Sequence, residues 1–402
     1  MRLRSSRERT STSRTSSRLR WASMMLPPDV TDRMDDGTRT DMNNIRSRAA
    51  AWRSRINAQT FTIAIAALVI YLGFGILNPR FLGLDNLRDV AISACVNGLI
   101  GLGMTFVIIT GGIDLSVGSI ASLSGMVSAA LMVNQGLNPY LGFVVGLVVG
   151  ALCGLVNGVL VALVRLPPFI ATLGTMSIFQ GLAYVVTDGL PVYNIPKPFV
   201  MILNSRVMGI PTSVAAVAIC AILCWFLLRR TVFGQNVIAT GGSEETAWLS
   251  GVNVARVKIW VYVLAGTLSG LGGMVVVARI SAAQSEAGAP YQMTAIASSV
   301  IGGANLMGGE GSIGGTIIGA LILGALTNGL VLLSVPSFYE QIVTGLVVVI
   351  AVTFDQVGKN WPAMRRGTKR PKQPNPVSGE DREAESRAGN AAKAPESGAD
   401  HD

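Results

Sequence analysis

Few side chains in this sequence could support metal, redox or acid–base chemistry, and their spacing is poor for it. The single histidine, His401, is the penultimate residue of the 402-residue chain. All four cysteines fall inside apolar stretches, and Cys220 and Cys224 are spaced i,i+4, which suits neither a CxxC redox pair nor a closed zinc site. The sequence therefore predicts no metal site and no histidine general base in the core. We interpret the cysteines as small apolar packing residues.

One glycine-rich segment has the spacing of a nucleotide-binding loop. Gly309–Gly314 fits the pattern GxGxxG, but a dinucleotide fingerprint follows a strand in a soluble βαβ unit, whereas this segment joins two apolar stretches. We therefore interpret Gly302–Gly315 as irregular backbone that is buried in protein or lines a cavity. The pattern GxxxxGK[ST] occurs nowhere in the sequence, so the chain cannot hydrolyse a nucleotide through a P-loop of its own, and we expect no bound cofactor.

Polar side chains in apolar surroundings form a second group of candidates. Asp114 and Ser116 lie in the segment GGIDLSVGS between two apolar stretches. An ionisable residue there is a functional candidate, but an Asp where a helix begins can also serve as its N-cap. Asparagines in the spans could face a translocation pathway or bond neighbouring helices. The candidate pathway residues are Asn97, Asp114, Ser116, Asn305 and Asn328, and Asn157 is a similar polar group.

The charge count by region indicates what kind of structure must hold these residues. Residues 61–354 contain 19 charged side chains in 294 positions, far below the roughly 25% of a soluble domain. We therefore predict an all-α polytopic membrane domain over residues 57–356, in contact with membrane lipid. The Arg- and Ser-rich residues 1–56 and the charged residues 357–402 are expected to be disordered cytoplasmic ends. Because most of the net charge of +9 comes from these ends, it does not indicate a nucleic-acid groove.

Uncharged stretches of about 20 residues locate ten predicted transmembrane helices. If both termini are cytoplasmic, 15 Lys and Arg side chains near the span ends lie inside and five lie outside, which agrees with an even number of spans. The eighth span is short and rich in glycine. The predicted spans are Phe61–Leu77, Val90–Ile113, two within Leu115–Val164, Leu166–Thr187, Thr212–Leu228, Ile259–Ala278, Ala287–Gly302, Ser312–Ser334 and Pro336–Phe354.

Glycines recur every four residues in one predicted span, at Gly142, Gly146, Gly150, Gly154 and Gly158. In lipid no hydrophobic force drives helices together, so close packing requires small side chains at the contact faces. The spacing favours tight static packing over helices that slide. Such faces would also allow two copies of the chain to associate closely.

The longest predicted cytoplasmic connection, Arg229–Lys258, carries the signals of a short helix. Ser243 is followed by Glu244 and Glu245, the pattern of a helix start with acidic residues in its first turn. Gly251 stands where a C-cap would end the helix. Connections are usually 2–6 residues long, and this one has 30. We therefore predict a surface that meets a partner in the cytoplasm.

Several long motifs, in order along the chain, resemble one family of membrane proteins. They are GGIDLSVGS after the second span, LPPFIATLGTMS at Leu166–Ser177, GGSEETAWLSGV at Gly241–Val252, and ARISAAQSEAGAPYQMTAIASSVIGGANLMGGEGSIGGTIIGALI at Ala278–Ile322. Over about Asn86–Asp355 the chain looks like the permease subunits of ribose/xylose/arabinose-type ABC sugar importers.

This resemblance implies a cell-membrane permease with a fold like that of the vitamin-B12 importer and with both termini cytoplasmic. It also implies a second permease copy around a central pathway, a separate ABC ATPase, and an extracytoplasmic binding protein that delivers a monosaccharide or related polyol. In this family a short cytoplasmic helix couples the ATPase to the permease. The matching residues here are Ser243, Glu244, Glu245, Thr246, Ala247, Trp248, Leu249 and Gly251.

Two alternatives to an importer permease remain. A secondary transporter or channel for a small polar solute, working without ATP, would need coupling charges, and the candidates within the predicted spans, Asp114, Glu310 and Glu340, all lie near span ends. An intramembrane enzyme would need a Ser/His or paired-Asp constellation, which the sequence of the core lacks. We therefore predict a pore-forming subunit that is not itself an enzyme.

Overall fold

The computed structural model describes residues 67–336 and 338–347, together with residues 65, 349 and 353. The predicted terminal regions, residues 1–56 and 357–402, lie outside the described residues. A 3-10 turn (Pro79–Leu82) follows the first helix, and a hairpin of β1 (Arg206–Val207) and β2 (Ile210–Pro211) precedes the seventh. The helices are α1 (Ala67–Leu77), α2 (Leu84–Ile109), α3 (Val117–Asn134), α4 (Pro139–Ala162), α5 (Pro168–Val185), α6 (Lys197–Leu203), α7 (Thr212–Arg230), α8 (Val232–Gly242), α9 (Glu244–Leu249), α10 (Val254–Ile280), α11 (Ala289–Ile301) and α12 (Ile313–Leu332).

Seven of the described helices are long and apolar enough to cross a membrane, which confirms a polytopic membrane protein. They are α2, α3, α4, α5, α7, α10 and α12. Three shorter helical segments, α1, α11 and residues 338–347, fall in the other three predicted spans, and parts of the first and tenth predicted spans lie outside the described residues. Helix α11 has 13 residues, against the roughly 20 of a full crossing. The count of ten and the vitamin-B12-importer-like arrangement stay predictions.

Helix α2 lies at the centre of the bundle. Every residue from Ala94 to Ile109 is buried, and the helix contacts α10, α11 and α12. A Cβ placed on Gly103 would lie 2.7 Å from the Cα of Ala265 in α10, so glycine is what allows these two backbones to meet. A helix that is apolar on all sides and buried on all sides is typical of the core of a helical membrane bundle.

The glycine stripe of α4 packs against α10 within the same chain. A Cβ on Gly158 would lie 2.8 Å from the Cα of Ile259, and one on Gly150 would lie 3.0 Å from the Cα of Gly270. Static packing of these small residues is therefore confirmed. Because α10 covers this stripe, it offers no free face to a second copy, and the association of two copies through small residues stays a prediction.

Helices α5 and α7 have apolar faces that no other described part of the chain covers. In α7 the side chains of Ile219, Ile222 and Phe226 are more than half exposed. Large exposed apolar surfaces of this kind mark contact with lipid or with another protein. In a membrane protein the lipid acyl chains solvate such side chains at no hydrophobic penalty.

Residues 302–312 of the glycine-rich segment are irregular, as predicted, whereas residues 313–315, also predicted to be irregular, begin helix α12. The irregular part packs against the ends of two helices. The N–H of Gly309 donates to the carbonyl of Ile109 at the end of α2, over 2.8 Å. A Cβ on Gly308 would lie 2.7 Å from the carbonyl oxygen of Gly241 in α8. Both Gly308 and Gly309 have positive φ. The segment therefore joins backbone to backbone, which agrees with irregular structure buried in protein rather than a nucleotide loop.

We expect a methyl group at the α4–α10 contact to destabilise the protein. Gly154 faces the backbone of Tyr262 and Val263, and a Cβ there would lie 3.0 Å from the Cα of Val263. Gly154→Ala should lower the free energy of unfolding by about 1–3 kcal/mol, as overpacking does, measured as a fall in melting temperature of the detergent-solubilised protein. The matched control is Gly73→Ala in α1, where no described atom lies within 4 Å. Equal melting temperatures for the two variants would contradict this packing.

Candidate functional site

The short helix predicted after Ser243 is present as α9, and it is capped at both ends. Ser243 is the N-cap, and its Oγ accepts from the N–H of Thr246 over 3.2 Å. Glu244 and Glu245 occupy the first turn, where acidic side chains favour the helix dipole. Gly251 follows the helix with φ +85°, a left-handed conformation that glycine adopts without strain. The helix begins one residue after the start that the sequence predicts and ends two residues earlier.

Two apolar side chains of α9 have no cover within the described part of the chain. Trp248 is 68% exposed and Leu249 is 70% exposed, while Ala247, one residue before them, is buried. An ion pair between Glu244 and Lys258 joins this helix to α10. Exposed aromatic and aliphatic side chains on a fixed short helix are typical of an interface anchor.

A cavity of about 870 Å³ lies beside α9. Its walls come from three places: α9 with Trp248, the connection between α4 and α5 with Arg165 and Pro167, and the start of α10 with Val254 and Lys258. The sequence did not indicate this cavity, because its walls come from segments that are distant along the chain. A cleft of this size beside exposed anchors is a surface that a protein partner can enter.

Helix α8, which directly precedes α9, carries no clear signal in the sequence. Its N-cap Thr231 accepts from the N–H of Gly234 over 3.3 Å. Its sequence, VFGQNVIATGG, contains three glycines and a β-branched residue at several positions, so helix propensity alone does not predict it. Packing of Val237 and Phe233 into the bundle stabilises it instead, and the Phe233 ring stacks on Phe106 at 6.4 Å.

Asp114 and Ser116 meet a third polar residue in a buried cluster. The Asp114 carboxylate accepts from the N–H and the Oγ–H of Ser116, over 2.8 and 2.6 Å. The Nδ2 of Asn157 in α4 donates to Ser116 Oγ over 2.7 Å, and Thr175 in α5 donates to Asn157 Oδ1 over 2.6 Å. These side chains tie the α2–α3 turn to α4 and α5. Asn157 and Thr175 were identifiable from the sequence only as polar residues in apolar stretches.

The interpretation of Asp114 as the N-cap of the third span is wrong in position. Helix α3 begins at Val117, and its N-cap is Ser116, whose side chain makes no capping bond. Asp114 stands two residues before the N-cap and is fully buried. Its carboxylate satisfies the N–H of Ser116, so it stabilises the turn that leads into the helix.

The other three candidate pathway residues make no hydrogen bond to this cluster or to each other. Asn97 in α2 accepts from Thr294 Oγ1 of α11 over 2.6 Å. Asn305 lies in the glycine-rich segment and accepts from the N–H of Met307 over 3.2 Å. Asn328 in α12 has a buried Oδ1 without a partner among the described residues. The structure thus does not bring the five residues together, and their role in a pathway stays a prediction.

We expect Asp114 to act through its hydrogen bonds. Asp114→Asn keeps an acceptor oxygen for both Ser116 donors, and the only bond it replaces with a donor–donor contact is the long one to Asn157 Nδ2, at 3.4 Å. Asp114→Ala leaves the buried donors unpaired, which costs about 1–3 kcal/mol. The melting temperature in detergent should therefore be close to that of the parent for Asp114→Asn and clearly lower for Asp114→Ala. If both variants melt with the parent, the cluster contributes nothing to stability.

Comparison with known proteins agrees with this architecture. Residues 86–352 match the family described as "Branched-chain amino acid transport system / permease component". The ribose import permease protein of Bacillus subtilis (strain 168) is 44% identical over 294 residues, which cover 73% of this chain and 91% of that protein. The D-allose transport system permease protein of Escherichia coli (strain K12) is 40% identical over 298 residues, covering 74% and 91%. The L-arabinose ABC transporter permease protein of Azospirillum brasilense is 35% identical over 315 residues, covering 78% and 92%.

No solved structure matches the chain. The match to the permease family spans α2 to α12 and thus includes the capped helix α9, the buried cluster and the glycine-rich segment. The resemblance to sugar permeases that the motifs predict is confirmed by these relatives. The chain therefore belongs to this family of transport-system permease components and is an integral membrane permease subunit.

Proposed function

We propose that this permease forms the translocation pathway of an ATP-driven importer for a monosaccharide or related polyol, and that α9 receives the ATPase. The observation that supports this most directly is the exposed pair Trp248 and Leu249 on a capped, ion-paired helix beside a large cavity. The relatives named above are ribose, allose and arabinose permeases. A sugar of this size is accordingly the proposed cargo.

Energy for transport must come from another protein. The sequence contains no GxxxxGK[ST] loop, so a separate ATPase subunit hydrolyses ATP. Trp248 and Leu249 would enter an apolar pocket of that subunit, because buried aromatic and aliphatic anchors supply most of the energy of a protein interface. Arg165 and Glu245, at the rim of the cavity, would set the orientation of the partner.

Backbone contacts of α8, the helix directly before α9, would transmit a displacement of α9 to the membrane domain. Helix α8 ends at Gly242, directly before α9, and its Gly241 lies against Ile109 and Gly309 with no room for a side chain. A displacement of α9 by the ATPase would therefore press on the end of α2 and on the glycine-rich segment. Since α2 is the central helix, such a displacement would reach the whole bundle.

Two further partners complete the proposed importer. A second copy of the chain would face the uncovered side of α5. A Cβ built on Gly174 or Gly181 there would meet no described atom within 4 Å, so these glycines permit close approach of another helix. An extracytoplasmic binding protein would dock on residues 190–212, which form α6 and the β1–β2 hairpin. Met208 at the tip of that hairpin is 97% exposed.

We expect removal of the α9 anchor to uncouple the permease from its ATPase. Trp248→Ala with Leu249→Ala should weaken ATPase binding by about thirtyfold or more, the effect of losing an interface hot spot of about 2 kcal/mol. ATP-driven sugar uptake in proteoliposomes should be lost while membrane insertion stays normal. The measurements are ATPase binding to the permease in nanodiscs and uptake of labelled sugar.

The control for the anchor variant is Val232→Ala, an exposed apolar side chain in the neighbouring helix α8. This variant should bind the ATPase and transport sugar at the parent rate. If the double variant at residues 248 and 249 binds the ATPase and imports sugar as the parent does, α9 is not the docking helix. Uptake by the parent that needs no ATPase would instead favour a secondary transporter or channel.

The left-handed residue after α9 offers a second test. Gly251→Val places a β-branched side chain at φ +85°, which strains the cap, and uptake should fall severalfold without loss of insertion. Gly251→Asn should recover much of the uptake, because Asn tolerates the left-handed region. Gly242→Ala, at a glycine with no described atom within 4 Å, is the control for an added methyl group. Parental uptake by Gly251→Val would show that the cap does not position α9.

A further inference from the structure

The segment between α10 and α11 returns into the depth of the bundle. Helices α3 and α10 run side by side, since a Cβ on Gly125 would lie 2.9 Å from Val277. Gly288, after the end of α10, packs against Gly118, and its N–H donates to Ser122 Oγ of α3 over 2.9 Å. Gly118 precedes Gly125 by seven residues, or about 10 Å of helix. Residues 281–288 therefore lead back from the end of α10 to a level well within the helical layer.

This returning segment is held to α5 by polar side chains. The Nε2 of Gln180 donates to the carbonyl of Ser285 over 2.7 Å, and Ser285 Oγ donates to the carbonyl of Ala183 over 3.2 Å. The hydroxyl of Tyr184 donates to Glu286 Oε1. An antiparallel bridge between residues 192 and 283 fixes the segment further. The polar groups are thus held in place by the fold.

The described part of the chain leaves the polar side chains at this contact wholly or partly exposed. Glu286 and Gln284 are exposed, Tyr184 is 37% exposed, and Gln180 is half-buried. A carboxylate that faces acyl chains carries a large energetic cost. Ionisable side chains at membrane depth therefore face a bundle interior or a water-filled cavity rather than lipid. Sequence analysis did not count Glu286 among the intramembrane charges, because it directly precedes the predicted eighth span.

We propose that Gln180, Tyr184, Gln284 and Glu286 line the translocation pathway and bind the hydroxyl groups of the passing sugar. The inference rests on the proposed function of sugar import. A carboxylate accepts bonds from two neighbouring hydroxyls, and the two amides both donate and accept. The four groups lie on the surface of the bundle beside the uncovered face of α5, where the second copy is proposed. Contacts this open bind weakly, which allows the sugar to leave again.

The decisive experiment measures water access at residue 286. In a variant with all four cysteines replaced, Glu286→Cys is compared with Val207→Cys on the β1–β2 hairpin and with Ile222→Cys on the exposed apolar face of α7. The permease is reconstituted with its ATPase and binding protein, and a charged, membrane-impermeant methanethiosulfonate is added. We expect Glu286→Cys to react at a rate within about tenfold of Val207→Cys, and Ile222→Cys to react far more slowly, because thiolates form in water and not in lipid.

Reaction of the Glu286→Cys variant should also stop uptake of labelled D-ribose, and D-ribose-loaded binding protein should slow the reaction. If this variant reacts as slowly as Ile222→Cys, the proposal is overturned in favour of a lipid-facing side chain. If its thiol resists the reagent and cross-links to the same position of a second copy, the proposal is overturned in favour of a subunit contact. If the parent imports none of D-ribose, D-allose and L-arabinose with ATP, the proposed function fails, while the reaction rates still decide whether residue 286 lines water.

A second pair of variants avoids the cysteine replacements. Glu286→Gln should lower the maximal rate of D-ribose uptake by about tenfold or more, since a lost bond to a charged acceptor is a large effect. The concentration of binding protein that gives half-maximal uptake should stay unchanged. Asp85→Asn removes an exposed carboxylate whose partner is Arg88, and it should transport at the parent rate. Parental uptake by Glu286→Gln would overturn the sugar contact.

Discussion

Glycine lets the helix backbones of this bundle approach one another, and this close approach sets how the other elements pack. In lipid the hydrophobic effect does not hold helices together, so association requires close contact over long surfaces. Gly150 and Gly154 of α4 meet Gly266 and Tyr262 of α10 at backbone distance, and Gly103 of α2 meets Ala265 of the same helix. Helix α10 is thereby fixed on two sides. The polar clusters and the α9 surface are built around this centre.

The same device extends to the end of the bundle where α8 and α9 lie. Gly241 and Gly308 allow α8, the end of α2 and the segment 302–312 to meet without side chains between them. Packed backbones have little room to deform, so a displacement at one element is passed to its neighbours. Within the pattern GxGxxG at residues 309–314, Gly309 lies against Gly242 of α8 and Gly311 against the side chain of Ile109, whereas a Cβ built on Gly314 would meet no described atom within 4 Å.

Polar side chains fall into two groups according to whether the fold satisfies them. Asp114, Ser116 and Asn157 are buried and bonded to one another, so they join helices. Glu286 and Tyr184 are bonded to each other but exposed, so they retain free acceptor capacity toward the outside. In a membrane this difference has a functional consequence. A satisfied buried group stabilises the fold, whereas an exposed carboxylate requires water or a polar solute beside it.

Local properties of the sequence predict a polytopic membrane protein with a capped helix after Ser243, and the motifs add the resemblance to permeases. Low charge density and apolar stretches of about 20 residues are local properties, and the cap signals of α9 lie within nine residues of one another. Only the tertiary structure shows which segment each small or polar residue contacts. Spacing could not tell that α10 covers the glycines of α4, or that Gln180 and Ser285 meet across 105 residues. Which helix faces a neighbour, lipid or a pathway depends on contacts between segments that are distant in the chain. The glycine spacing marks a contact face on α4, but it does not say which helix covers that face.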